Sequence, residues 1–145
     1  MQAQDVMNRA VITIRPHMPV GAAAALLVAR GVTSAPVVTA EGVLRGIVSE
    51  VDLLRAQPTV PQGPTEHTAR AADVMTPRPV TVRSTDELAD VAAVLLDHGV
   101  RALPVVDGGR LVGIVSRRDV LSLIAQEAPT ASRGGRPVGK PECAR

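Results

Sequence analysis

Three short motifs occur in this chain, each occurs twice, and the order is the same both times. Asp5-Val6-Met7 returns as Asp73-Val74-Met75. Gly31-Val32 followed by Pro36-Val37-Val38 returns as Gly99-Val100 followed by Pro104-Val105-Val106. Gly46-Ile47-Val48-Ser49-x-x-Asp52 returns as Gly113-Ile114-Val115-Ser116-x-x-Asp119. The copies lie 68 positions apart up to the Pro-Val-Val step (73 − 5, 104 − 36) and 67 apart from the next glycine on (113 − 46). The one-residue difference falls between Thr39 and Arg45, opposite Asp107 to Val112. That is a turn between two apolar runs, where a chain tolerates an insertion or deletion. A repeat constrains architecture strongly, because each copy must be one structural unit and neighbours must bury together what one cannot bury alone.

The 145 residues amount to one domain or two small intimate ones. A copy alone, at roughly 50 residues, buries too little surface to be comfortable, so the copies are expected to share a core. With no Phe, Tyr or Trp in the chain, that core must be Val, Leu, Ile, Ala and Met. The same absence excludes the aromatic stacking platforms used for single-stranded nucleic acid. The formal net charge of +2 misleads. Arg133, Arg136, Lys140 and Arg145 are four of the 16 basic residues, and Glu142 is one of the 14 acidic ones, so residues 1–132 carry 12 basic and 13 acidic groups, a net of −1. Nucleic acid is therefore not an expected partner of the folded part. DNA association through the basic tail is a weaker third idea, to be tested by removing residues 129–145. The lone Cys143 can form neither an internal disulfide nor a cysteine metal site. His17, His67 and His98 have no metal-ligand spacing, and no metal is expected. Met1 to Asp5 lacks a basic start and an apolar run, and Ala22 to Ala29, the longest apolar stretch, is too short for a bilayer. A cytoplasmic protein without membrane contact is the expectation.

Each copy reads alike. Asp-Val-Met opens it as a short turn. Short strands are expected at Ile12-Thr13-Ile14 and Val80-Thr81-Val82. Ser84-x-x-Glu87 reads as a capping box. Behind it, Leu88, Val91, Ala92, Leu95 and Leu96 form a helical stripe expected to be buried, ended by Gly99. In the first copy Val20, Ala23, Ala24, Leu27 and Val28 repeat the stripe, ended by Gly31. The Pro-Val-Val strand, a turn at Asp107-Gly108-Gly109 and the strand Leu111 to Val115 predict an antiparallel hairpin. Helices are expected from about Arg117 to Ala125 and from about Glu50 to Ala56. The expected class is α/β (α+β), two β-α-β-β-α repeats related by a pseudo-two-fold axis. Their ranges are 5–57 and 72–127, with a Pro-rich linker at 58–71 and a disordered basic tail at 128–145.

The doubled motifs together, over residues 5–126, resemble a tandem pair of CBS domains (cystathionine β-synthase domains), also called a Bateman module. The resemblance implies a sensor of adenosine-containing ligands, AMP, ADP, ATP or S-adenosylmethionine, held in clefts between the repeats. It implies a flat homodimer whose shape carries the signal to a regulated protein that the sequence does not name. It assigns the ribose to Asp52 and Asp119, and phosphate contacts to Ser49 and Ser116. The implied adenine slot draws on Ile12, Thr13, Ile14, Thr33, Ala35 and Ile47 in the first copy, and on Val80, Thr81, Val82, Leu103 and Ile114 in the second.

The residues have their own logic. A serine ahead of a helix, with a carboxylate one turn in, offers a hydroxyl and backbone N–H groups to phosphate and acceptors to two ribose hydroxyls. Ser-x-x-Asp at a helix start also satisfies a plain capping pattern. Both roles can coexist. The copies differ in charge: Arg101, Arg117 and Arg118 stand where the first copy has Thr33, Glu50 and Val51. Guanidinium groups favour phosphate, so the Asp119 site is expected to bind nucleotides better than the Asp52 site. No phosphate loop, nucleophile elbow or His-Glu metal motif is present, and no enzyme is expected. The competing expectation is a structural, protein-interaction dimer with unoccupied clefts.

Overall fold

The computed structural model describes residues 1–56 and 69–127. Most of the expected linker and the whole of the expected tail lie outside the described residues. The first repeat contains α1 (Ala3–Val6), α2 (Val20–Arg30), β1 (Ser34–Val38), β2 (Leu44–Ser49) and α3 (Glu50–Ala56). The second contains α4 (Ala71–Val74), β3 (Thr76–Pro77), α5 (Leu88–His98), β4 (Ala102–Asp107), β5 (Arg110–Ser116) and α6 (Arg117–Glu127). The result is mixed helix and strand with small sheets, as the two-repeat reading implies.

The hairpins form as expected, β1 antiparallel to β2 and β4 to β5, with a register shift at the same place in each, Val37/Val38 and Val105/Val106. Gly31 and Gly99 end α2 and α5 in the left-handed conformation, at φ of 66° and 62°. Three expectations need correction. The segments 12–14 and 80–82 are not regular strands. Each reduces to one parallel bridge, Ile14 with Val37 and Val82 with Val105. Ile14 and Val82 each use N–H and C=O on the proline strand beside them. In the frame these bonds set, the next donors would be Pro16, Pro36 and Pro104, none of which has an amide hydrogen. The stripe residues Val28 and Leu96 are 81 % and 76 % exposed, while Ala23, Leu27, Val91 and Leu95 are buried. Each helix meets its own repeat over a narrower arc than the sequence pattern implies.

The third correction concerns Ser84, which caps nothing. Helix α5 starts later, at Leu88, and the Ser84 hydroxyl instead donates to Asp107 Oδ2 at 2.6 Å while its amide donates to Asp107 Oδ1 at 3.1 Å. The hydroxyl bond, then the amide bond, and to a smaller degree the Arg83 charge, hold the Asp107 carboxyl below its ordinary 3.8. A depressed folded-state pKa lends stability above the unfolded value and loses it as pH falls through the lower folded one. Asp107→Asn should therefore lose less melting temperature than the native chain between about pH 5 and pH 2. Superimposable acid limbs in thermal melts would count against the bond.

The opening segments explain the doubled motifs. Helix α1 does not pack on its own repeat: Ala3, fully buried, joins Val82, Val91, Leu95, Leu103, Val105, Val115 and Val120, with Val6 and Met7 packed against them. Helix α4 does the reverse, placing Ala71, with Val74 and Met75 alongside, in the core of Ile14, Val20, Leu27, Val37 and Val48. Bridges follow the same exchange. Asn8 pairs with Ile114, and Thr76 with Ile47; Gln2 pairs with Glu87, and Arg70 with Pro19. The opening turns are single helical turns in which Asp5 and Asp73 accept the amides of Gln2 and Arg70 at 2.7 and 2.8 Å.

Met and Gly of the repeated motifs are thus two halves of one contact. A Cβ on Gly113 would meet Met7 Sδ at 2.6 Å, with Asn8 O at 3.1 Å. A Cβ on Gly46 would meet Met75 Sδ at 2.6 Å, with the Thr76 carbonyl at 2.7 Å. A thioether can shift, but a backbone carbonyl within a paired strand cannot shift easily. Gly46→Ala is expected to cost about 1–3 kcal/mol and Gly113→Ala less. Denaturant melts of the two variants decide; a larger loss for Gly113→Ala would refute the reasoning.

Candidate functional site

Both Ser-x-x-Asp motifs sit where a strand hands over to a helix, β2 to α3 and β5 to α6. Asp52 Oδ2 accepts the Ser49 amide at 2.9 Å, and Ser49 Oγ accepts the Asp52 amide at 3.2 Å. Asp119 and Ser116 repeat this at 2.8 and 3.1 Å. These are capping boxes, the plainer of the two roles the motif allows. The box does not exhaust the groups. Among the described residues neither Oδ1 has a donor, and each serine hydroxyl, used only as an acceptor, keeps its proton to give.

Two clefts open beside these motifs, and both repeats build each. The first, about 730 Å³, takes Ser116, Arg117 and Arg118 from the second repeat and Asn8, Ile12, Thr33 and Ser34 from the first. The second, about 540 Å³, takes Ile47, Ser49 and Glu50 from the first repeat and Arg78, Val80, Arg101 and Leu103 from the second. Each serine therefore faces a cleft completed by the opposite repeat. The exchange of opening segments is the cause: Asn8 pairs with Ile114, which carries Ile12 towards Ser116, and Thr76 pairs with Ile47, which carries Val80 towards Ser49.

Of the residues expected in the adenine slot, Ile12, Thr33 and Ile114 line the first cleft. Thr33, Ile47, Val80, Leu103 and Ile114 line the second. Thr13, Ile14, Ala35, Thr81 and Val82 line neither. Ile14, Ala35 and Val82 are core residues, turned inward by the bridge and the strand they belong to. Ser49, Ser116, Arg101, Arg117 and Arg118 all form cleft wall. Asp52 and Asp119 do not; half-buried, they stand on the first helical turn behind the serines that do.

Charge divides the clefts. The first has Arg101, Arg117 and Arg118 in its wall and, among the described residues, no carboxylate. Arg117 is held there by its Nε, which donates to the Val100 carbonyl at 2.9 Å. The second has Arg78 and Arg101 with Glu50. The contrast sits on a backbone link that both copies repeat: the Arg117 amide donates to Arg101 O, and the Glu50 amide to Thr33 O, both at 2.9 Å. Arg78 was not evident among the sequence candidates. It lies between Pro77 and Pro79 with φ of 49°. The residue before a proline is driven from the right-handed helical region, and a left-handed non-glycine costs on the order of 1–3 kcal/mol. The Pro-Arg-Pro triplet was the available signal.

A repeated α+β unit, with a cleft built twice from both copies and a helix-start serine in the wall each time, defines a small paired-repeat module. The CBS domain model matches residues 3–59 and 71–126. The chain belongs to the CBS domain family, as two such domains in tandem. It is 33 % identical to the CBS domain-containing protein YhcV of Bacillus subtilis over 117 residues, covering 81 % of each chain. A crystal structure of CBSX2, an Arabidopsis thaliana CBS-pair protein, in complex with AMP superposes with a TM-score of 0.75 at 31 % identity, over 86 % of this chain and 96 % of that one. The cytosolic domain of the Mg2+ channel MgtE in complex with ATP gives a TM-score of 0.71 at 33 % identity, over 84 % of this chain and 48 % of that one. In some relatives the matched stretch is a minor part: the chain spans 15 % of an A-adding tRNA nucleotidyltransferase of Aquifex aeolicus. No described helix is long and apolar enough to cross a membrane.

Proposed function

We propose that this chain is a non-catalytic regulatory module that binds adenosine-containing ligands in its two clefts. The observation that carries the reading is the twin Ser-x-x-Asp motif: each serine lines a cleft and keeps a hydroxyl proton, and the aspartate bonded to it one turn behind keeps a carboxylate oxygen without a donor among the described residues. The CBS-pair relatives with AMP and with ATP support the ligand class. Asp52 and Asp119 take the ribose, Ser49 and Ser116 a phosphate, and Ile12, Thr33, Ile47, Val80, Leu103 and Ile114 the base. The cationic first cleft suits the more highly charged nucleotide.

Signalling runs through a homodimer and its shape. Val28, Leu54, Leu96 and Ile124 are exposed on the helix pairs α2–α3 and α5–α6, and packing them against a second copy would remove them from water. A ligand changes that dimer only by preferring one of its shapes.

A thermal-shift panel of AMP, ADP, ATP and S-adenosylmethionine tests the ligand. At about 100 times Kd a native-state ligand adds about 2.7 kcal/mol of stability, and the melting temperature rises with its concentration. Failure of all four to raise it would overturn the reading and leave the structural dimer with unoccupied clefts.

A further inference from the structure

The two clefts share a wall. Thr33, Ser34, Arg101, Ala102 and Ile114 line both, and Arg101 is the one charged residue among them. Its counterpart in the first copy is Thr33 (33 + 68 = 101), so the repeat supplies one guanidinium to this wall where symmetry would supply two. Setting Arg101 aside, and among the described residues, the first cleft keeps Arg117 and Arg118 with no lining carboxylate, a formal +2, while the second keeps Arg78 against Glu50, a formal zero. Arg117 is tethered to the Val100 carbonyl, whereas Arg101 is exposed and its side chain makes no hydrogen bond or ion pair among the described residues.

We infer that Arg101 is a shared anion-binding residue that couples the clefts, so that filling one with an anionic ligand opposes filling the other. A guanidinium that engages a phosphate does so through a planar fork, which cannot serve two anions at once. An anion in the first cleft that takes Arg101 leaves the second without net positive charge. Linkage makes the effect reciprocal. The identity of the ligand rests on the proposed function; the coupling requires only that it carry phosphate.

Calorimetric titration of the full chain with ATP tests this, with tripolyphosphate as the probe that lacks the nucleoside. Two ATP steps are expected, the second assigned to the second cleft by its loss in Asp52→Ala. Removing first-cleft binding with Arg117→Ala/Arg118→Ala should tighten the second-cleft constant about fivefold or more over the native second step. That gain should vanish when Arg101→Gln is present in both backgrounds. An unchanged second-cleft constant overturns the coupling and leaves both sites standing. A gain that survives Arg101→Gln overturns the role of Arg101. Antagonistic binding of tripolyphosphate with none of ATP overturns the adenosine reading and keeps the coupling. No binding of either probe overturns both.

Discussion

Expressed as separate polypeptides divided in the linker, the two repeats should each fail to fold alone and should fold on mixing. Each half carries the other's helix. The first half takes away α1, whose Ala3, Val6 and Met7 complete the second core, and the second half takes away α4, whose Ala71, Val74 and Met75 complete the first. Full burial of a large aliphatic side chain is worth about 1.5–3 kcal/mol. Losing two such partly buried side chains and an exchanged bridge is comparable to the whole stability of a half-length unit, at roughly 0.05–0.15 kcal/mol per residue. Circular dichroism melts of each half and of the mixture read the outcome. Cooperative melting of either half alone near the native temperature would show that the exchange is dispensable.

Asp119→Ala should weaken ATP binding at the first cleft about 10–100-fold. A hydrogen bond to a charged group is worth about 1.5–3 kcal/mol, and each 1.4 kcal/mol is tenfold in affinity. The same variant loses the acceptor for the Ser116 amide, so it should also lose on the order of 1 kcal/mol of stability. Asp119→Asn separates the two roles. It keeps an oxygen for the Ser116 amide and gives up the charge, so affinity should fall while the denaturation midpoint moves little. Calorimetry and melts on both variants, with Asp52→Ala beside them, measure the difference. Because Glu50 stands in the second cleft and Arg117 in the first, Asp119→Ala should remove the tighter nucleotide step and Asp52→Ala the weaker one. Equal losses would defeat the claim that the clefts differ.

Much of this was legible before any coordinates. The Pro-Val-Val hairpins, the glycine helix stops and the helices α2, α3, α5 and α6 follow from periodicity and turn chemistry within a few residues. The capping geometry of the Ser-x-x-Asp pairs was legible too. What failed did so where a distant segment outcompeted a local partner. Ser84 has a capping spacing to Glu87, yet its hydroxyl goes to Asp107, a residue 23 positions away that offers two carboxylate oxygens to one turn. Val28 and Leu96 continue the helical stripes, yet they point past the edge of the core their helices cover. Thr13 and Thr81 flank bridge residues and line neither of the two clefts.

The sequence by itself determined that there are two like units, what ends each helix, where each hairpin turns, and that serine and aspartate stand at two helix starts. These features depend on residues a few positions apart, whose contacts are set by backbone geometry. Only the tertiary structure decided that the opening helices trade places, which residues of each copy wall each cleft, that Arg78 lines the second cleft and that Arg101 lines both. The two openings present nearly the same Ala-x-Asp-Val-Met surface to nearly the same strand glycine. Local chemistry therefore leaves the pairing open, and the packing of the whole chain closes it.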